Sequence, residues 1–170
     1  ARRHHIGLSI DAEEAARLEL SLDIFEALAR DPALSDWDGL GFVLQAYQKR
    51  APAVIPWLIK LAGETRRQFM VRLVKGAYWD TEIKLAQQQG LADYPVFTRK
   101  AHTDLCYLHC AQQLLAAPGA VYPQFATHNA QTITTIQQLA GDAPYEFQRL
   151  HGMGEVLYGQ WQRQPAELPP

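Results

Sequence analysis

Five times along this 170-residue chain a short run of β-forming residues gives way to a segment of helical periodicity. Strands separated by a helix run parallel, because such a crossover cannot fold back as a hairpin, and a parallel sheet needs helices packed over it. Strands are expected at residues 6–10 (IGLSI), 41–46 (GFVLQA), 69–74 (FMVRLV), 120–126 (AVYPQFA) and 145–149 (YEFQR). Asp11 and Glu14 have capping-box spacing. Ala15, Leu18, Leu22, Phe25 and Ala29 then recur at helical intervals as far as Asp31 and Pro32. Further helices are expected from Pro52 to about Arg66, from Asp80 to Gln89 with Gly90 as a left-handed stop, from Ala101 to Ala117, and from Ala130 to Ala140 behind an Asn129 cap. Another is expected to open through Leu150 to Glu155. Pro123 has no N–H to give a ladder, so it belongs at the start of its strand or at an unpaired position. Past Tyr158 the periodicity is lost, and Pro165, Pro169 and Pro170 mark residues 159–170 as a loop or linker tail behind a single domain at 1–158.

The most chemically loaded stretch is RLVKGAYWD, Arg72 to Asp80. Alternation on a strand puts Met70, Arg72 and Val74 on one face and Val71 and Leu73 on the other. A guanidinium on an apolar strand needs an anion or strong acceptors opposite it. Two readings follow: a pairing with a core carboxylate, or a cation facing a bound ligand. Lys75 and Gly76 end the strand, Gly76 and Ala77 leave backbone open to whatever lies there, and Tyr78 and Trp79 offer flat faces suited to a flat, electron-rich cofactor. Polar residues gather at the other strand ends too: Asp11, Gln45, Thr127 with His128, and Gln148. Asp11 reads equally as a plain helix cap or as a carboxylate facing a site. The connection at 91–100 (LADYPVFTRK) reads as a solvated basic turn or as a functional loop carrying Thr98 and Lys100.

In a (βα)8 barrel such strand ends share one face, and that face carries the chemistry. Five strands are too few to close one, and the chain falls below the roughly 200 residues such a fold needs, so the expected fold is α/β, a fragment of a (βα)8 barrel with about five βα units. No Rossmann glycine fingerprint follows any strand. With 16 basic and 18 acidic residues the net charge is -2, which gives no footing for nucleic acid or an anionic membrane. Cys106 and Cys110 lie one helical turn apart. With His102 and His109 they form no convergent ligand set, so no metal is expected and a reducing compartment fits.

RLVKGAYWD, together with FATHN at 125–129 and LHGMGE at 150–155, closely resembles the proline dehydrogenase domain of the bifunctional proline utilization A flavoenzymes of bacteria. The likeness runs from IGLSIDAEEA through GFVLQAYQKR and YPVFTRK to YEFQRLHGMGE. It implies a (βα)8 barrel, of which strands 3 to 7 correspond to this chain. It also implies FAD held noncovalently, oxidation of L-proline to 1-pyrroline-5-carboxylate, and electrons passed to a membrane quinone. Position by position, Arg72, Val74, Lys75, Gly76, Ala77, Tyr78 and Trp79 match the segment along the flavin. Gln45, Thr127, His128, Asn129 and Gln148 fall among further cofactor contacts, with Thr98 and Lys100 toward the nucleotide half. Asp11, Ala77, Tyr78 and Leu150 match the proline pocket, and Asp11, Arg72 and Tyr78 are the residues expected to serve catalysis. A fixed cation near the flavin ring would favour its reduced, anionic form.

Two family segments have no counterpart in this sequence: a final helix whose arginine pair clamps the substrate carboxylate, and an early strand with a lysine. The isolated chain is therefore expected to oxidise proline poorly. The resemblance further implies an aldehyde dehydrogenase domain in the parent chain, a possible homo-oligomer, and a cytoplasmic protein able to lie peripherally on the inner face of the bacterial plasma membrane. Two other readings of the residues remain: a Schiff-base lyase using Lys75, and a noncatalytic barrel fragment.

Overall fold

The computed structural model describes the backbone of residues 1–163 and the side chains of residues 1–160. Five strands, β1 (Leu8–Ile10), β2 (Leu40–Gln45), β3 (Phe69–Val74), β4 (Val121–Ala126) and β5 (Glu146–Gln148), form one sheet in the order of the chain. All four pairings are parallel. A doubly wound sheet reverses its strand order at a switch point; this one never does, and sequential parallel winding is that of a (βα)8 barrel. The chain forms five successive units of that fold.

Helices α1 (Leu18–Arg30), α2 (Ala51–Thr65), α3 (Trp79–Gln88), α4 (Lys100–Leu115), α5 (Ala130–Ala140) and α6 (Glu155–Arg163) follow the strands. The register fixes which residues meet them: Phe42 lies beside Val71 and Leu44 beside Leu73, while Phe69 lies beside Val121 and Leu73 beside Phe125. These side chains form the core together with Leu58 of α2 and Leu114 of α4. Phe25 of α1 is fully buried, its ring 5.3 Å from Phe42 and 4.8 Å from Phe69 in edge-on contact. Alternation then places Val43, Arg72, Gln124 and Glu146, neighbours in register, on the opposite face. The sidedness read from the sequence for residues 70–74 holds.

Pro123 lies in register beside Val71 of β3, and only its nitrogen, on the β5 side, meets no strand partner. Phe69 N–H donates to the Ala120 carbonyl, so even-numbered β4 residues bond toward β3 and odd-numbered ones toward β5, as Thr127 N–H does to Gln148. Pairing with β5 begins only at Gln124, one residue later.

Several boundaries differ from the sequence reading. Asp11 and Glu14 form no capping box: a 3-10 turn (Ala15–Arg17) precedes α1, without a side-chain cap from Glu14. The buried N–H of Ala15 is taken instead by the buried carboxylate of Glu82 on α3, at 2.5 Å, so the capping acceptor comes from 67 residues away. Residues Leu150 to Gly154 are not helical; Gly152 (φ 76°) and Gly154 (φ 68°) hold left-handed backbone that precedes α6. Residues 159–163, read as part of a tail, continue α6, and residues 164–170 lie outside the described residues.

Candidate functional site

At the carboxyl ends of the strands lies a cavity of about 620 Å³, within the roughly 300–1,000 Å³ range of small-molecule and cofactor sites. Every strand end contributes: Asp11 after β1, Gln45 closing β2, Arg72 and Val74 to Tyr78 at the end of β3, Ala126 to Asn129 at the end of β4, and Gln148 to Leu150 at the end of β5. A flat sheet would hold its first and fifth strands about 19 Å apart, so a single cavity walled by both requires the sheet to curl. The helix-free face is the inside of that curl.

Arg72 reaches across β2 to Asp11, Nη2 to Oδ1 at 3.3 Å, the arginine side chain one-third exposed and the aspartate largely so. Both sequence readings are thereby resolved: Arg72 is paired, but with a carboxylate in the cavity rather than in the core. Asp11 lies outside any helix, its Oδ1 also accepting from Ala12 N–H.

Gln45 is 2% exposed and both ends of its amide are engaged. Nε2 donates to the Glu13 carbonyl at 2.6 Å and Oε1 accepts from Ala77 N–H at 3.0 Å. One side chain thus ties the loop after β1 to the loop after β3. Close under that loop, a Cβ on Gly76 would fall 2.4 Å from Cγ of the buried Tyr47 ring, and its φ of 150° is one that side chains rarely adopt. Burial, with Glu82 nearby, pushes the Tyr47 phenol well up, so it stays neutral.

Lys75 Nζ meets Asp104 Oδ1 at 2.5 Å, and Lys100 Nζ meets Asp104 Oδ2 at 2.5 Å. Burial raises the Asp104 carboxyl, but the hydrogen bonds from Lys100 and Lys75 outweigh it and hold the group below its ordinary range. Lys75 also stands 5.9 Å over the Tyr107 ring. A Schiff-base lysine must offer a free lone pair, whereas the Lys75 nitrogen is engaged by the Asp104 carboxylate.

On the far wall, Thr127 Oγ1 accepts from Asn129 N–H, and Asn129 Oδ1 caps α5 through Thr132 N–H at 2.9 Å. His128 Nε2 accepts from Leu150 N–H at 3.2 Å, so one side chain links the β4 and β5 ends. Gln148 and Gln124 both donate to Glu146 Oε1. From behind, Tyr158 donates its hydroxyl to the Thr127 carbonyl at 2.7 Å.

Two expected residues stand outside the cavity wall: Trp79, whose Nε1 donates to the Phe97 carbonyl at 2.9 Å, and Thr98. The first position of α3 turns the indole toward the 91–99 loop. Ala12, Val43, Ala126 and Arg149 line the cavity without having been singled out. Period two, counted back from Gln45, would have found Val43, and Ala126 and Arg149 adjoin the chosen Thr127 and Gln148. Cys106 and Cys110 are buried free thiols with Sγ atoms 3.9 Å apart, while His102 faces Phe97 and His109 meets Gln113. Among the described residues no three His, Cys, Asp or Glu side chains are grouped to hold a metal.

The lining suits a ligand with both anionic and apolar parts. Arg72, Lys75, Lys100 and Arg149 supply positive charge, and Val43, Val74, Ala126 and Leu150 supply apolar wall.

The family model described as proline dehydrogenase matches residues 1–168. The chain is 62% identical over 164 residues to the bifunctional protein PutA of Klebsiella aerogenes and 61% identical over 164 residues to that of Escherichia coli K12. Each match covers 94% of this chain and 12% of the relative. A crystal structure of a mutant proline utilization A from Bradyrhizobium japonicum superposes with a TM-score of 0.93 at 58% identity, covering 96% of this chain and 17% of that one. The chain thus spans about an eighth of the length of these curated relatives.

Proposed function

The chain belongs to the proline dehydrogenase family, and from that premise we propose that its cavity is the flavin- and proline-binding face of an enzyme that oxidises L-proline to 1-pyrroline-5-carboxylate. The observation that carries this reading is the convergence of Asp11, Gln45, Arg72, Thr127 and Gln148, from five different strand ends, on one cavity. Because the chain is a small part of its relatives, the activity is assigned to a complete polypeptide that contains it. By likeness to the bifunctional relatives, that polypeptide carries an aldehyde dehydrogenase domain.

Arg72, Val74, Lys75, Gly76, Ala77, Lys100, Thr127, His128, Asn129 and Gln148 are the residues that would hold FAD. Bound there, FAD supplies the two-electron oxidant for the proline ring. Arg72, fixed by Asp11, presents a permanent cation to electron-rich groups in the cavity. The exposed Asp11 oxygen can accept a hydrogen bond from the substrate amine and so orient the ring. Tyr78 and Leu150 border the space and exclude water from it, while Gln45 holds the Ala77–Tyr78 segment at its place on the wall.

Electrons then pass to a membrane quinone. Among the described residues no helix is long and apolar enough to cross a membrane, and the proposed location is the cytoplasm, with peripheral attachment to the inner face of the plasma membrane. The complete protein is proposed to form a homo-oligomer. The test is to supply the complete polypeptide with L-proline and a soluble quinone and to trap the cyclic imine with an aromatic amino aldehyde. Proline-dependent adduct formation is expected; a flavin-loaded protein that yields none would overturn the reading.

A further inference from the structure

Asp104 is not on the cavity wall, yet it contacts two lysines that are. Lys75 comes from the end of β3 and Lys100 opens α4, so the two cations would repel one another across the same corner. Each carboxylate oxygen of Asp104 takes one ammonium at 2.5 Å. The Tyr107 ring of α4 also faces Lys75, and Arg72, Asp11, Tyr78, His128 and Arg149 are the other charged and titratable groups that line the same cavity. A lysine nitrogen acts as a nucleophile only when its lone pair is free, and Asp104 is the carboxylate that engages the nitrogen of Lys75.

We propose that Asp104 is a positioning residue that holds the Lys75 nitrogen in an ion pair at the cavity wall, so that the lysine presents charge but no free nucleophile to the compounds turned over there. The chemical need rests on the proline-oxidising reading. The cyclic imine product adds water across its C=N bond and opens to an amino aldehyde, which a neutral lysine would capture. In that capture the Lys75 nitrogen bonds to the aldehyde carbon, the nitrogen loses its protons, and the carbonyl oxygen leaves as water. The placement of Lys75 itself does not depend on the reaction.

The complete polypeptide and its Asp104→Asn and Asp104→Glu variants are trace-labelled with acetic anhydride at pH 8. Acetylation of Lys75 is read by mass spectrometry against the exposed Lys84. A parallel sample receives succinic semialdehyde and then borohydride, whose hydride fixes any imine as a secondary amine. Asp104→Asn is expected to raise labelling and trapping at Lys75 about tenfold relative to Lys84, the effect of losing one hydrogen bond to a charged group, and Asp104→Glu to restore most of the protection. Unchanged Lys75 reactivity in Asp104→Asn, or equal reactivity in the Asn and Glu variants, overturns the proposal. A rise at every lysine marks unfolding of the Asn variant, and the Glu variant against the unsubstituted protein then decides: retained protection upholds the role, lost protection refutes it. Failure to oxidise proline would touch only the functional reading, since neither readout requires turnover.

Discussion

Replacing Gln45 with leucine removes the amide that joins two of the cavity's loops while keeping nearly the same volume. The Gln45 side chain is 2% exposed and makes bonds of 2.6 Å to the Glu13 carbonyl and 3.0 Å from Ala77 N–H. A buried polar group left without its partner costs about 1–3 kcal/mol. Glu13 and Ala77 themselves lie at the surface, so water can replace part of each bond, and the combined loss falls at about 1–2 kcal/mol. That loss is local: it frees the loop after β3 without disturbing the aromatic core on the other face of the sheet. One to two kcal/mol corresponds to a factor of about 5–30 in an opening equilibrium. Hydrogen exchange followed by mass spectrometry on the complete polypeptide should show that fall in protection for peptides spanning Ala77, with β2 and β3 unchanged. Gln45→Glu provides the contrast, since it keeps an acceptor for Ala77 N–H but has no donor for Glu13; protection at Ala77 should survive while the 11–14 loop loosens. Unchanged exchange at Ala77 in the leucine variant, or a loss spread over the whole sheet, would refute the bracing argument.

Gly76→Ala places a Cβ 2.4 Å from a buried aromatic ring at a φ of 150°, and should lower stability by about 1–3 kcal/mol through overpacking as well as distort the wall; thermal unfolding monitored alongside flavin retention checks both. Phe25→Ala empties a fully buried position between two rings and should cost about 3–5 kcal/mol, seen as a lower denaturation midpoint without a change in ligand specificity. Asp104 has a carboxyl held below its ordinary value of 3.8 by two lysines. Its contribution to stability is therefore fully present above that value and lost as the pH falls through the lower folded-state value. Asp104→Asn should flatten the acid limb of the stability curve below about pH 4, measured by equilibrium unfolding across pH; an unaltered limb would count against the two ion pairs.

The alternation of β runs and helical periods was enough to place all five strands, and period two assigned Arg72 and Val71 to opposite faces. What the sequence could not show is what depends on contacts between distant residues. Asp11 read equally as a cap, from its spacing to Glu14, or as a carboxylate facing a site, and the acceptor that serves Ala15 is Glu82 on α3. Gln45 was legible as a polar residue at a strand end; that both ends of its amide are engaged depends on where Glu13 and Ala77 come to rest. The partner of Arg72 lies 61 residues away, and nothing local distinguishes a cavity carboxylate from a core one. Trp79 was grouped with Tyr78 by adjacency, yet Tyr78 precedes α3 in the cavity wall while Trp79, the first helical residue, turns its indole toward Phe97. The polar GQWQR stretch gave α6 too few apolar positions for its last turn to be read.

The most direct test of the central claim is the visible absorption spectrum of the complete polypeptide, recorded anaerobically before and after L-proline is added. The account predicts a flavin spectrum that bleaches with L-proline and bleaches far more slowly when Arg72 is replaced by methionine. A flavin spectrum that L-proline leaves unchanged in the unsubstituted protein, or bleaching that is indifferent to Arg72, would contradict it.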